Sequence, residues 1–185
     1  MQGASDTMIV CLGWGSLIWS PRSLPNDGEW RGDGPRLPIE FARVASDQRL
    51  TLVIHENSPP VTVLWTRMTS SSLDEAVEAL AVREGCSRES IGFWSEAHSS
   101  AHPKIREIEN WAKDRELESV VWTALRPGFP GKRGTPITCR EALDHLSGLE
   151  GNQRAVAEKY VRKAPVQTAT PYRAEIERAF GWTPI

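Results

Sequence analysis

Gly13-Trp14-Gly15-Ser16-Leu17-Ile18-Trp19-Ser20-Pro21 is the stretch from which the rest of the chain can be placed. Before it runs Met8-Ile9-Val10-Cys11-Leu12, an apolar series that reads as a short buried strand over 8–13. Two glycines and a serine break the run, and Pro21 closes it. Glycine tolerates positive φ and lets another backbone or a ligand come close. A strand ending in such a corner gathers backbone N–H groups into one concavity, which suits a carboxylate or an oxyanion. The same residues also read as a tight strand-to-loop turn packed under two tryptophans.

Downstream, residues 20–37 are rich in Pro, Gly, Asp and Arg and read as a long loop, a candidate wall of a site. Three strand-like runs follow, over 37–45, 48–55 and 61–68. The second and third alternate with a period of two. Ser46-Asp47 and Asn57-Ser58-Pro59-Pro60 link them, too short for parallel crossovers, so an antiparallel meander is expected. The period then changes. Ser72 with Glu75 makes a capping box, Leu73, Ala76, Val77, Leu80 and Ala81 mark one helical face, and Gly85 suits the stop. Residues 86–100 read as irregular. A second helix is expected over 103–115 and a fifth strand over 118–125. Residues 126–136 read as a mobile basic loop. It lacks the spacing of a phosphate-binding loop. Three helices close the chain, opened by Thr138, by residue 151 and by Thr170-Pro171. Strands and helices that mostly do not alternate predict an α+β fold.

Composition narrows the function classes. The 185 residues are expected to form one domain, with a helical C-terminal extension over about 137–185. A net charge of −2 gives no basic field for nucleic acid or anionic membrane. Three scattered cysteines fit neither a disulfide framework nor zinc spacing, so a reducing, cytoplasmic setting is the expectation. The start shows neither the basic n-region nor the long apolar h-region of a secretory leader, and residues 1–7 read as loose.

Glu84 stands out. Continuing the apolar stripe of the helix brings position 84 inward, one residue before the stop. A carboxylate therefore sits where the pattern asks for an apolar residue. Burial and the negative end of a helix dipole act on it in the direction that suits a general acid or base. The alternative is a frayed last turn, or pairing with Arg83 or Arg88.

The run Gly15-Ser16-Leu17-Ile18-Trp19-Ser20-Pro21 after a first strand, with Leu80-Ala81-Val82-Arg83-Glu84-Gly85 after strands and a helix, resembles the gamma-glutamylcyclotransferase-like superfamily. The Leu-Ile-Trp-x-Pro continuation and the Arg-Glu pair are most similar to its glutathione-degrading branch. The resemblance covers roughly residues 8–125. It implies a small closed mixed β-barrel of about five to six strands flanked by helices. It also implies that a γ-glutamyl compound is converted to 5-oxoproline and a free amine or amino acid, without metal or other cofactor. Glu84 would be the general acid/base. Trp14, Gly15, Ser16 and Leu17 would line the substrate, and Arg43 would meet its carboxylate, with a surface or strand-pairing arginine as the alternative. Trp14 stands where the family usually has tyrosine. That leaves room for a non-catalytic module binding a γ-glutamyl or other small anionic metabolite.

Other chemistries fit less well. Ser16 lacks the Gly-x-Ser-x-Gly elbow of a serine hydrolase. Cys86 lacks an activating base. His98 and His102 stand four apart, but Pro103 interrupts the helix that metal spacing would need.

Overall fold

The computed structural model describes residues 8–185, so the expectation for residues 1–7 lies outside the described residues. In chain order come β1 (Ile9–Gly13), the single turn α1 (Ser16–Trp19), β2 (Arg36–Leu37), β3 (Ile39–Val44), β4 (Leu50–Ile54), β5 (Val61–Thr62) and β6 (Leu64–Arg67). Then follow α2 (Leu73–Glu84), a 3-10 turn at Arg88–Ser90, β7 (Ile91–Ser95), α3 (Ile105–Asp114) and β8 (Ser119–Thr123). Three helices end the chain: α4 (Cys139–Ser147), α5 (Gly151–Lys163) and α6 (Pro171–Phe180). The architecture is α+β.

These elements fall into two compact units that interleave along the chain. The first holds residues up to Gly13, Pro21–Pro35 and Leu64–Ala124. Its frame is a mixed sheet in the order β6-β1-β8-β7. β1 pairs antiparallel with β6 and parallel with β8, and β8 pairs antiparallel with β7. All five residues of β1 are buried, as an apolar run at the centre of a sheet requires. α2 and α3 pack on β7 and β8, adding Leu80 and Ile108 to a core with Val120, Val121 and Trp122.

The loop over 21–35 is pinned. Asn26 and Arg31 form bridges to Met68 and Trp65. The Asp27 carboxylate accepts from Thr66 and Arg31, and Asp33 accepts from Trp65 and Arg115. The Trp111 indole donates to the Asp33 carbonyl at 3.0 Å.

The second unit holds Trp14–Ser20, Arg36–Val63 and Leu125–Ile185. Its centre is the antiparallel hairpin of β3 and β4, with a bulge between Phe41 and Arg43. α6 packs on β3 and α5 on β4, so the C-terminal helices build this unit's core with Phe41, Leu50, Leu146 and Ile176. β2 and β5 pair separately.

Three expectations need correction. The meander is only a hairpin. Pro38, which has no N–H, splits the first run into β2 and β3, and the third run divides at Val63 into β5, paired with β2, and β6, paired with β1. Residues 91–95 are a strand. Residues 126–136 do not stand free: Gly128 pairs alongside Arg43, its N–H donating to Ala42 O at 2.8 Å. Arg133 spends its guanidinium on the carbonyls of Gly128 and Val44.

Among the described residues the ladders make three separate sheets, and none runs back onto its own first strand. No helix there is long and apolar enough to cross a membrane.

Candidate active site

In the first unit lies the candidate residue Glu84, and α2 places it. The Ser72 hydroxyl accepts the Glu75 N–H at 3.2 Å, capping the start. Glu75 in turn accepts from the N–H and hydroxyl of Ser71 rather than from Ser72. At the far end Gly85 takes φ +66°, the left-handed conformation that stops a helix. Between the caps the inward stripe is two rows wide. One runs Ala76, Leu80, Arg83; the other runs Leu73, Val77, Ala81, Glu84.

Both rows end in a charge. The Arg83 side chain is 5% exposed and that of Glu84 17%. Arg83 Nη1 donates to Glu84 Oε1 at 2.8 Å. The stripe therefore ends in an ion pair, the alternative left open by the spacing, with the carboxylate largely sheltered. No other hydrogen bond reaches the Glu84 carboxylate among the described residues, so one oxygen is held and the other is available to a proton. Cys11 of β1 lies beside the pair. Burial pushes its thiol well above the ordinary value, the Glu84 charge adds to that, and Arg83 opposes it.

The second unit holds the glycine corner. Trp14 is buried and its indole N–H donates to Leu52 O at 3.3 Å. It is a packed residue, committed to β4. Gly15 precedes the turn of α1 with φ −131°, which any residue can adopt. What demands glycine is space: a Cβ there would lie 2.4 Å from the Tyr160 hydroxyl oxygen. That hydroxyl accepts the Leu52 N–H at 3.2 Å. The Tyr160 ring meets Trp19 edge-on at 5.4 Å and carries the Arg49 guanidinium at 5.4 Å from its centroid. Within the turn, Ile18 N–H returns to Gly15 O and Ser20 N–H to Ser16 O. Ser16 is half-buried and Leu17 buried. Arg43, half-exposed on β3, donates to Arg126 O at 2.7 Å.

Trp14, Gly15, Ser16, Leu17 and Arg43 thus share one unit, and Glu84 belongs to the other with Arg83 and Cys11. Arg83 was read as a partner for Glu84 but not as an inward residue, and Tyr160 escaped the sequence reading. Arg83 lies three residues beyond Leu80 on the same stripe, a spacing that was there to be read. Tyr160 had a weaker signal: a tyrosine on an apolar helix face needs a partner for its hydroxyl, but nothing local names that partner. Among the described residues no three His, Cys, Asp or Glu side chains gather as a metal site. No protein-family model matches the chain, and neither a curated protein nor a solved structure matches it.

Proposed function

We propose that this chain is a cyclotransferase of the lyase type, turning a γ-glutamyl compound into 5-oxoproline and a free amine or amino acid. The reaction is an intramolecular aminolysis. The α-amine nitrogen attacks the γ-carbonyl carbon, closing a five-membered ring, and the bond from that carbon to the leaving nitrogen breaks. The attacking amine must lose a proton and the leaving amine must gain one. Glu84 carries out both transfers, a role that suits a carboxylate with one oxygen held and the other open. The backbone amides at Gly15, Ser16 and Leu17 are assigned to the tetrahedral oxyanion or the substrate carboxylate, and Arg43 to the α-carboxylate. No cofactor enters this scheme. Holding the substrate bent, with amine and carbonyl close, supplies much of the remaining acceleration.

The observation that carries the reading is the state of Glu84: a sheltered carboxylate on the inward stripe of α2, fixed through one oxygen by Arg83. The short motifs around it support the glutathione-degrading branch as the nearest kin, and a cytoplasmic setting goes with that. The reading also carries the family's closed mixed barrel, which would take strand pairing additional to the three sheets.

A second reading has its own support. Trp14 occupies the family's tyrosine position and its N–H is committed to Leu52 O. A module that binds a γ-glutamyl or other small anionic metabolite without turnover needs no hydroxyl there.

Incubation with glutathione, γ-glutamyl amino acids and γ-glutamyl amines separates the two. The cyclotransferase reading expects 5-oxoproline from at least one of them. Calorimetric binding of a panel member with no 5-oxoproline from any would select the binding module, and neither binding nor product would reject both.

A further inference from the structure

Glu40 of β3 is fully buried, at 0% exposure, and no cation pairs with it among the described residues. Its charge is met by hydrogen bonds alone. Oε1 accepts the Phe41 N–H at 2.8 Å and the Thr170 hydroxyl. Oε2 accepts the Tyr172 N–H at 3.3 Å and the Ser58 hydroxyl at 3.5 Å. Thr170 is the N-cap of α6 and also accepts the Arg173 N–H, so the carboxylate holds the first turn of that helix. Every one of these residues belongs to the second unit.

The Ser58 hydroxyl oxygen also lies 3.3 Å from His55 Nδ1. A hydroxyl has one proton; when an ionised Glu40, which can only accept, takes it, Nδ1 carries a hydrogen and donates to Ser58. The chain then runs one way: His55 Nδ1–H to Ser58 Oγ, Ser58 O–H to Glu40 Oε2. His55 is 7% exposed, and its Nε2 is buried with no partner among the described residues. That atom is the unpartnered, proton-accepting end of the chain.

The charges that act on the groups of this cluster are acidic, and Arg173, on the first turn of α6, commits its guanidinium to Glu177 and four carbonyls. Glu56 lies beside His55 on the turn, Cys139 and Glu141 come from the start of α4, and Tyr172 and Glu175 from α6. Only a proton can neutralise Glu40 in place.

We propose that His55, Ser58 and Glu40 form a proton-sharing latch, which ties the first turn of α6 to β3 and to the 55–58 turn with a single exchangeable proton. A proton arriving at Nε2 lets Nδ1 pass its own to Ser58, while Ser58 passes its proton to Glu40. His55 is neutral again as the Nε2–H tautomer, Glu40 is a neutral acid, and the hydrogen bonds have reversed direction. Burial acts oppositely on the two ends. It raises the Glu40 carboxyl above its ordinary 4.5 and lowers the His55 imidazole below its ordinary 6.5. The linkage signs oppose as well. Glu40 alone stabilises the fold at low pH and loses that stabilisation as pH rises through its raised pKa. His55 alone stabilises at high pH and loses it as pH falls through its depressed pKa. Shared through Ser58, the two tendencies offset each other, and the hold on α6 varies little across mildly acidic pH.

NMR titration of the wild type, following the His55 ring and the Glu40 carboxyl carbon, tests this directly. Coupled sites titrate as a pair, so the ring and the carboxyl carbon report the same set of macroscopic midpoints. Ser58→Ala is expected to uncouple them, leaving the ring and the carboxyl carbon each with a midpoint of its own. Urea midpoints give a second readout: stability of Glu40→Gln should rise from pH 4.5 to 6.5, while that of His55→Asn should fall over the same range. A wild-type midpoint reported by one nucleus and not by the other, unchanged midpoints in Ser58→Ala, or slopes of the same sign in the two variants would overturn the latch. The wild-type titration decides even if a variant fails to fold.

Discussion

At Gly15 a single methyl group would have to enter space held by the Tyr160 hydroxyl, 2.4 Å away. Gly15→Ala is therefore expected to lower stability by about 1–3 kcal/mol, the usual cost of overpacking. Removing the obstruction should recover part of that loss, so the same substitution costs less in a Tyr160→Phe background. Urea denaturation of the double-mutant cycle measures the coupling, and strict additivity would refute the contact. The same scale shows what a periodic pattern hides. The stripe of α2 was legible as one row pointing to Glu84. It is two rows, and the second ends in Arg83, more sheltered than Glu84 itself. Arg83→Met breaks a mostly buried pair from one side, with an expected loss of about 3 kcal/mol or more. Glu84→Gln keeps an oxygen for the guanidinium and should cost clearly less. Denaturation midpoints of the two variants check this order.

Among the elements, the joint between α5 and α6 depends on one side chain. Arg173 is buried at 3% exposure and donates to the carbonyls of Val161, Ala164, Pro165 and Thr168. Burial lowers its pKa, and Glu177 at 3.1 Å opposes the shift. Arg173→Leu orphans these acceptors and is expected to destabilise by roughly 3 kcal/mol, with faster amide exchange along 164–170. Glu177→Gln, which leaves the carbonyl bonds intact, should cost less than about 1 kcal/mol. The helices were the legible part of the chain because their signals are local: Thr138, Thr170, Gly85 and Gly181 cap them as read, and Ser72 caps α2 without the return bond from Glu75 that a full capping box has. Strand β7 was hidden because Gly92 weakens a strand pattern. Its reason is tertiary: the Trp122 indole lies where a Gly92 Cβ would be, 2.2 Å from the nearest ring atom. The alternation over 61–68 concealed the division at Val63 for a like reason. Alternation marks faces and says nothing of which strand will be the neighbour.

Across the whole molecule, composition and class were readable, and the interleaving of two units was not. The chain passes between them at residues 13, 20, 35, 63 and 124, and only contacts distant in sequence reveal that. Three cysteines, none of them in a disulfide, offer a way to watch one of them. Cys86 and Cys139 are partly exposed, whereas Cys11 is buried in β1 with its thiol held protonated. An aromatic disulfide reagent should label two thiols in the native protein at once. The third should react only as the first unit opens, at a rate that rises with urea. Rapid labelling of all three in native buffer would contradict the central place of β1.

The central claim is that Glu84 moves the protons of a γ-glutamyl cyclisation. The most direct measurement is the rate of 5-oxoproline formation by Glu84→Gln relative to wild type, on the best substrate and with matching circular dichroism. General acid–base catalysis contributes about 10²–10⁴-fold, and a loss of at least about 10²-fold is the predicted result. A folded Glu84→Gln protein that keeps the wild-type rate would contradict the account.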